Sequence, residues 1–295
     1  MRSIASSAPA HVDASARAST ARVVVRTAVT MGCFAANSLL CRAALATGRI
    51  DPGAFTAIRV GSGALTLALL AALRGVRPTA GSWGSAVTLA VYAITFAAAY
   101  VRLQAGTGAL VLFAAVQATM IAWSIARGVR PSRRQATGIV LALLGLVYLV
   151  APGISRPDPA GAALMAIAGA GWGVYSLRGR TEADPVAANA GNFLRALPLV
   201  LALLAISTRS VPSASGAALA VASGVVATGI GYVLWYGVLP ALGATRAAVV
   251  QLSVPVLAAL GAVVLLPEPL SLRLIGSGIA VLAGIALVVA RPRAR

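Results

Sequence analysis

Two arginines stand inside otherwise apolar stretches, Arg59 within 53–73 and Arg195 within 185–207. A charge at the centre of an apolar helix costs about 2.5–3.5 kcal/mol even on insertion scales, so it is kept for a reason. Either the guanidinium attracts the carboxylate of a bound solute, or it binds helix-end carbonyls or snorkels toward water. A second set is aromatic. Tyr92, Phe96 and Tyr100 recur at i, i+4 and i+8, Tyr232, Trp235 and Tyr236 at i, i+3 and i+4, and Trp172 lies three residues before Tyr175, so each set shares one helix face. Such faces line a cavity that stacks on flat solutes, or they fill the interior and the membrane boundary. Trp83 and Tyr100, near segment ends, are expected at that boundary. A third set is polar: Phe34, Asn37, Ser38 and Cys41 fall on one face, Phe113, Gln117, Met120 and Ser124 on another, and Gln251 is similar. Buried amides need partners, so these residues line a watery path or bond helix to helix. The solute-binding candidates are therefore Asn37, Ser38, Arg59, Tyr92, Phe96, Gln117, Trp172, Tyr175, Arg195, Tyr232, Trp235 and Gln251.

Other chemistry has little to work with. The acids Asp13, Asp51, Asp158, Glu182, Asp184 and Glu268 fall in the N-terminal stretch or in connections, as does His11. No apolar segment then carries a proton-relay group, which points to facilitated movement down a gradient. Glu268, between two prolines, reads as a charge at a helix N-terminus. Cys33 and Cys41 share one helix too far apart to bridge and have no histidine near, so neither a disulfide nor a metal site is expected. Gly169, Gly171 and Gly173 precede no lysine and read as a close helix contact rather than a phosphate cradle. An intramembrane enzyme would need a nucleophile with its base, or a metal cluster, and neither is evident; no catalytic residue and no cofactor is expected.

The elements that must position these residues follow from composition. Of 295 residues 59% are hydrophobic and 10% charged, with mean hydropathy +0.91, whereas soluble domains carry about 25% charged residues. Apolar runs long enough to cross a bilayer occur at 23–46, 53–73, 81–101, 105–127, 136–152, 159–178, 185–207, 213–239, 244–266 and 271–290. Without period-two alternation they read as helices, giving an all-α integral membrane protein with ten transmembrane helices. Pro198 and Pro255 lie inside runs and mark kinks. Residues 1–22, rich in Ala, Ser and Arg, read as a disordered cytoplasmic tail, and the first apolar run as the first span rather than a removable signal. Every basic residue is arginine. Sixteen of the 24 fall on the side shared by both termini and the even-numbered connections, and six on the other. Both termini are thus expected in the cytoplasm, with the basic excess facing lipid headgroups rather than nucleic acid.

Displaced by 138 residues, the chain matches itself. Phe34, Ser38 and Arg42 meet Trp172, Ser176 and Arg180, Thr107 and Gly138 meet Thr245 and Gly276, and Arg59 reaches Arg195 after a two-residue gap. Five spans per half is odd, so the repeats, 23–152 and 159–290, enter the membrane inverted, with a solute site near the midplane between them. The stretch Ile230-Gly231-Tyr232-Val233-Leu234-Trp235-Tyr236, then Leu242-Gly243-Ala244-Thr245-Arg246-Ala247, Val254-Pro255-Val256-Leu257 and Pro267-Glu268-Pro269, resembles the second repeat of the drug/metabolite transporter superfamily, in its ten-span EamA branch. In the first half Gln117 stands where that family has a proline, and Arg130 where it has an acid. The resemblance implies export of small metabolites, amino acids and aromatic ones among them, from a bacterial inner membrane, with other solutes such as sugars, nucleosides or drugs as the alternative. The partners expected are a small-molecule substrate and membrane lipids, and the state a monomer or weak homo-oligomer. A reporter that fluoresces only in the cytoplasm, fused after Arg295, is expected to fluoresce; activity of a reporter requiring export at that junction would reverse the orientation.

Overall fold

The computed structural model describes residues 9–128, 131–151, 156–180, 182–207 and 211–289, with side chains from Thr20 onward except at 150, 203–207, 239–240, 243–249 and 289. Expectations placed on residues 1–8, on Arg130, Arg209 and 290–295, and on the side chains of Thr245 to Val249 lie outside the described residues. The described chain is helical: α1 (Pro9–Leu45), α2 (Pro52–Leu73), α3 (Trp83–Tyr100), α4 (Ala105–Ala126), α5 (Arg133–Val150), α6 (Pro159–Gly179), α7 (Pro185–Ser207), α8 (Ala214–Ala222), a π-helical segment (Ser223–Ile230), α9 (Gly231–Gln251), α10 (Ser253–Leu265) and α11 (Leu272–Val289). Asp-Pro pairs open three of them. Asp51 accepts from Ala54 N, Asp158 from Gly161 N and Asp184 from Val186 N and Ala187 N, while the proline occupies the first helical position, where no N–H is needed.

Two boundaries differ from the expected ones. The stretch expected as a disordered tail is helical from Pro9, because Ala10, Ala14, Ala16, Ala18 and Ala21 are strong helix formers that continue α1 outward. No interruption separates the eighth and ninth spans near 240–243; the break falls at Leu252 instead. There Pro255 lacks the N–H that would have bonded the Gln251 carbonyl.

Hydrogen bonds between helix ends fix the direction of each crossing. At one end of the bundle Arg42, in the last turn of α1, pairs with Glu268, which follows α10, and donates to the Tyr100 and Val101 carbonyls at the end of α3. Arg102 lies beside Asp158 at the start of α6, Ser213 N, before α8, donates to Arg49 O, and Arg273 of α11 donates to Ala151 O after α5. At the other end Arg178 of α6 meets Ser82 and Ser85 at the start of α3, Asn192 of α7 accepts from Ser82 N, and Gln135 of α5 donates to Val288 O of α11. The first helix of the first half thus finishes where the first helix of the second half begins. The two five-helix halves are inverted. Since α8 begins at the end where α10 finishes, the chain crosses twice between them, which makes ten crossings.

Packing pairs obey the same exchange. α2 lies on α7 and α5 on α11; α3 and α4 both lie on α6, as the π segment with α9, and then α10, lie on α1. Six helical stretches, Thr20–Leu45, α2, α3, α4, α6 and Ala214–Val238, are long and apolar enough to cross a membrane. Exposed Leu65, Leu69 and Leu73 on α2 and Leu143, Leu144 and Val147 on α5 face outward, whereas Asn37, Arg59, Gln117, Asn189 and Asn192 are buried. Apolar outside and polar inside is the arrangement that lipid requires.

Small residues permit the closest contacts. A Cβ on Gly169 would stand 2.5 Å from Leu112 O and 2.6 Å from Ala115 Cβ, and one on Gly173 2.9 Å from Thr119 Cβ. The glycine run is therefore the α6 face that seats α4, as its spacing suggested. Gly169→Val is expected to destabilise the purified protein by about 1–3 kcal/mol, read as a lowered unfolding temperature in detergent; an unchanged temperature would contradict this packing.

Candidate functional site

Where the halves meet, rings from four helices converge. Phe34 (α1) stands edge-on to its repeat mate Trp172 (α6) at 6.2 Å and to Tyr232 (α9) at 6.1 Å. Trp172 also meets Tyr92 (α3) at 5.2 Å and Tyr232 at 4.9 Å. With Asn37, Ser38, Phe96 and Phe113 these rings line a central chamber. Its free volume, about 20 Å³, admits about one water molecule. The chamber is too narrow here to hold a solute.

A polar network runs along one wall. Asn37 Nδ2 donates to the Tyr92 hydroxyl at 3.2 Å, and Asn37 Oδ1 accepts from Ser223 Oγ at 2.7 Å. Arg59, 2% exposed, donates from Nη2 to the same Tyr92 oxygen at 2.9 Å and from Nε to Thr228 Oγ1 at 3.3 Å. Its guanidinium carbon lies 5.2 Å from the Tyr92 ring centroid and 5.0 Å from that of Phe96. No carboxylate partners it among the described residues: Asp51, Asp158 and Asp184 cap helices, and Glu268 holds Arg42. Arg59 Nη1 and the Tyr232 hydroxyl are buried without partners.

Of the residues expected here, Asn37, Ser38, Tyr92, Phe96, Trp172 and Tyr232 line the chamber, with Arg59 behind the Tyr92 and Phe96 rings. Tyr175 stacks on Trp172 at 5.7 Å while its hydroxyl donates to Asn189 Oδ1, and Trp235 meets Phe34 at 5.7 Å. Both support the ring from behind. Gln117 is displaced. It lines a separate vestibule of about 220 Å³ with Met120, Ser124, Gln135 and Arg180, at the end of the bundle opposite Glu268. Phe113 lies one turn earlier on the same α4 face and lines the chamber, so one helix face joins the two spaces.

Arg195 is not brought to the chamber. Its Nη1 and Nη2 donate to the carbonyls of Ala80 and Thr79, between α2 and α3, because that connection leaves carbonyls within reach of α7. Gln251 is buried at the end of α9 and lines none of the chamber. Tyr100 is no boundary residue: it is fully buried, with its ring 4.8 Å from Phe96, while Trp83 is 59% exposed. Reading the sequence missed Ser223 and Thr228. Its signal would have been two hydroxyls within an otherwise apolar span, each followed by glycine.

A clasp joins helix ends at the end of the bundle where α1 finishes. Arg42 Nε donates to Glu268 Oε1 at 2.8 Å, and Glu268 Oε2 accepts from Ala105 N at 2.8 Å. Glu268 was expected to charge the start of its own following helix, α11. It caps α4 instead, whose N-cap Gln104 makes no side-chain bond. Four elements, α1, α3, α4 and the α10–α11 connection, are joined through these two side chains.

A multi-pass helical bundle with inverted halves and an enclosed site between them has the architecture of a secondary transporter. Comparisons agree with that class. Residues 160–290 match the EamA-like transporter family. An uncharacterized transporter of Archaeoglobus fulgidus is 30% identical over 210 residues, covering 68% of this chain and 74% of that protein. An uncharacterized protein of Pseudomonas aeruginosa is 50% identical over 272 residues, covering 91% and 95%. One crystal structure shares the fold at a TM-score of 0.67 and 20% identity, over 91% of this chain and 97% of its own. The chain belongs to the EamA-like transporter family and is a multi-pass membrane protein.

In a double-mutant cycle, Arg42→Gln and Glu268→Gln are each expected to lower stability by about 1–3 kcal/mol, with the double variant losing less than their sum. Additive losses would show that the pair is not coupled.

Proposed function

We propose that this protein exports small amphipathic solutes, hydrophobic and aromatic amino acids foremost, by opening the central chamber alternately to the two faces of a bacterial inner membrane. The observation that carries the reading is the ring of Phe34, Tyr92, Trp172 and Tyr232, built from both halves where they cross. Rings of this kind stack on a flat or apolar solute body, and each ring pair is worth about 0.5–1.5 kcal/mol beyond its buried area. The arginine bias puts the clasp outside and the vestibule at Gln117 on the cytoplasmic side, which supports a state closed outward, with the vestibule as the way in. The mechanism is facilitated movement down a gradient. Chain and lipid suffice as a monomer or weak homo-oligomer.

The test is solute counterflow into proteoliposomes across amino acids, sugars and nucleosides. Saturable counterflow of phenylalanine or leucine without a proton gradient is expected, with Trp172→Ala lowering its rate at low solute about tenfold. Counterflow of sugars alone, or a strict need for a proton gradient, would overturn the reading.

A further inference from the structure

The polar groups around the chamber are one-sided. Arg59 keeps Nη1 free although it is 2% exposed, and Tyr232, 3% exposed and part of the chamber wall, presents a hydroxyl with no partner. Asn37 has committed its oxygen to Ser223. Among the described residues no Asp or Glu lines the chamber. A free guanidinium N–H and a free O–H are both donors, which is what a carboxylate needs. An ammonium would need a carboxylate to balance it, and it would meet the uncancelled charge of the buried Arg59 instead.

We propose that the chamber selects its cargo by charge: the solute is a monoanionic carboxylate on a flat or apolar body, held by Arg59 Nη1 and the Tyr232 hydroxyl, and the α-ammonium of an amino acid counts against binding. The inference rests on the transport reading above and moves its preferred cargo from amino acids to carboxylates of the same body that lack the ammonium. In the closed state the Arg59 charge acts through the ring wall, and it meets the carboxylate directly once Tyr92 and Phe96 turn aside. A driving force follows without any proton relay. An anion leaving the cell moves down an inside-negative membrane potential, which is worth about tenfold in gradient for every 60 mV.

Wild-type proteoliposomes decide this with three solutes of one body, 3-phenylpropionate, phenylalanine and phenethylamine, at about pH 8 where the acid is ionised. Counterflow is expected to favour 3-phenylpropionate over phenylalanine by about tenfold and to exclude the amine. An inside-negative potential set with valinomycin should speed 3-phenylpropionate efflux and leave phenylalanine unchanged. Phenylalanine carried as well as the acid, or efflux blind to the potential, overturns the inference and leaves the transport reading standing; carriage of none of the three overturns both. Tyr232→Phe separates binding from packing. Removing a hydroxyl that bonds nothing should leave the unfolding temperature unchanged, yet raise half-saturation about tenfold for both solutes that carry the carboxylate, 3-phenylpropionate and phenylalanine. An unchanged half-saturation for 3-phenylpropionate would overturn the assignment.

Discussion

One buried charge organises the middle of this molecule. Placing the Arg59 guanidinium there costs about 2.5–3.5 kcal/mol on insertion scales. Hydrogen bonds from a charged group return about 1.5–3 kcal/mol each, and cation–π contacts about 0.5–2. Two of each are made, to Tyr92, Thr228 and the Tyr92 and Phe96 rings. These contacts offset the cost without a counter-ion. The charge therefore remains uncancelled in a medium of low dielectric, where it acts strongly on whatever enters. The π segment belongs to this arrangement. Residues five apart point about 140° from each other on an α-helix, whereas i→i+5 winding brings them toward one side. Ser223 and Thr228, five apart, accordingly reach Asn37 and Arg59, from neighbouring helices, together.

The two ends of the bundle are built differently although the halves repeat. The clasp Arg42–Glu268 is partly exposed, at 19% and 10% of its side-chain surface, so its own strength is modest. Its effect comes from position, since Glu268 also caps α4 and Arg42 also holds the end of α3. Displaced by 138 residues the same pair becomes Arg180 and Arg130, two like charges. No matching ion pair can form there. That end carries the vestibule instead, with Arg180 and Gln117 in its wall. The repeat is therefore unequal at its two ends, with the ion pair at the Glu268 end and the vestibule at the other.

Much of the architecture was legible because it is local. Apolar run length defined the crossings, Asp-Pro pairs marked helix starts, and spacing placed Tyr92 with Phe96 and Trp172 with Tyr175 on shared faces. The repeat even matched Phe34 to Trp172, which meet at the centre. What escaped depends on partners distant in sequence. Arg59 and Arg195 looked alike as buried cations, yet only one faces rings while the other faces the carbonyls of Thr79 and Ala80. Gln117 and Asn37 looked alike as buried amides, but α4 carries the glutamine a turn past the chamber. The Glu268 clasp spans 226 residues, and no periodicity reports such a pairing. The π winding that makes Ser223 and Thr228 useful likewise has no signature in an α-helical pattern.

On the transport reading proposed above, solute occupies the space between Phe34, Tyr92, Trp172 and Tyr232. Of the four tryptophans, Trp172 and Trp235 are at this ring and Trp83 and Trp123 are exposed. Trp83→Phe with Trp123→Phe leaves emission from the ring alone. In nanodiscs, titration of that variant with 3-phenylpropionate is predicted to change Trp emission saturably, at concentrations matching its half-saturation for transport. Emission that stays constant while the solute is being carried would place the pathway elsewhere and contradict the account.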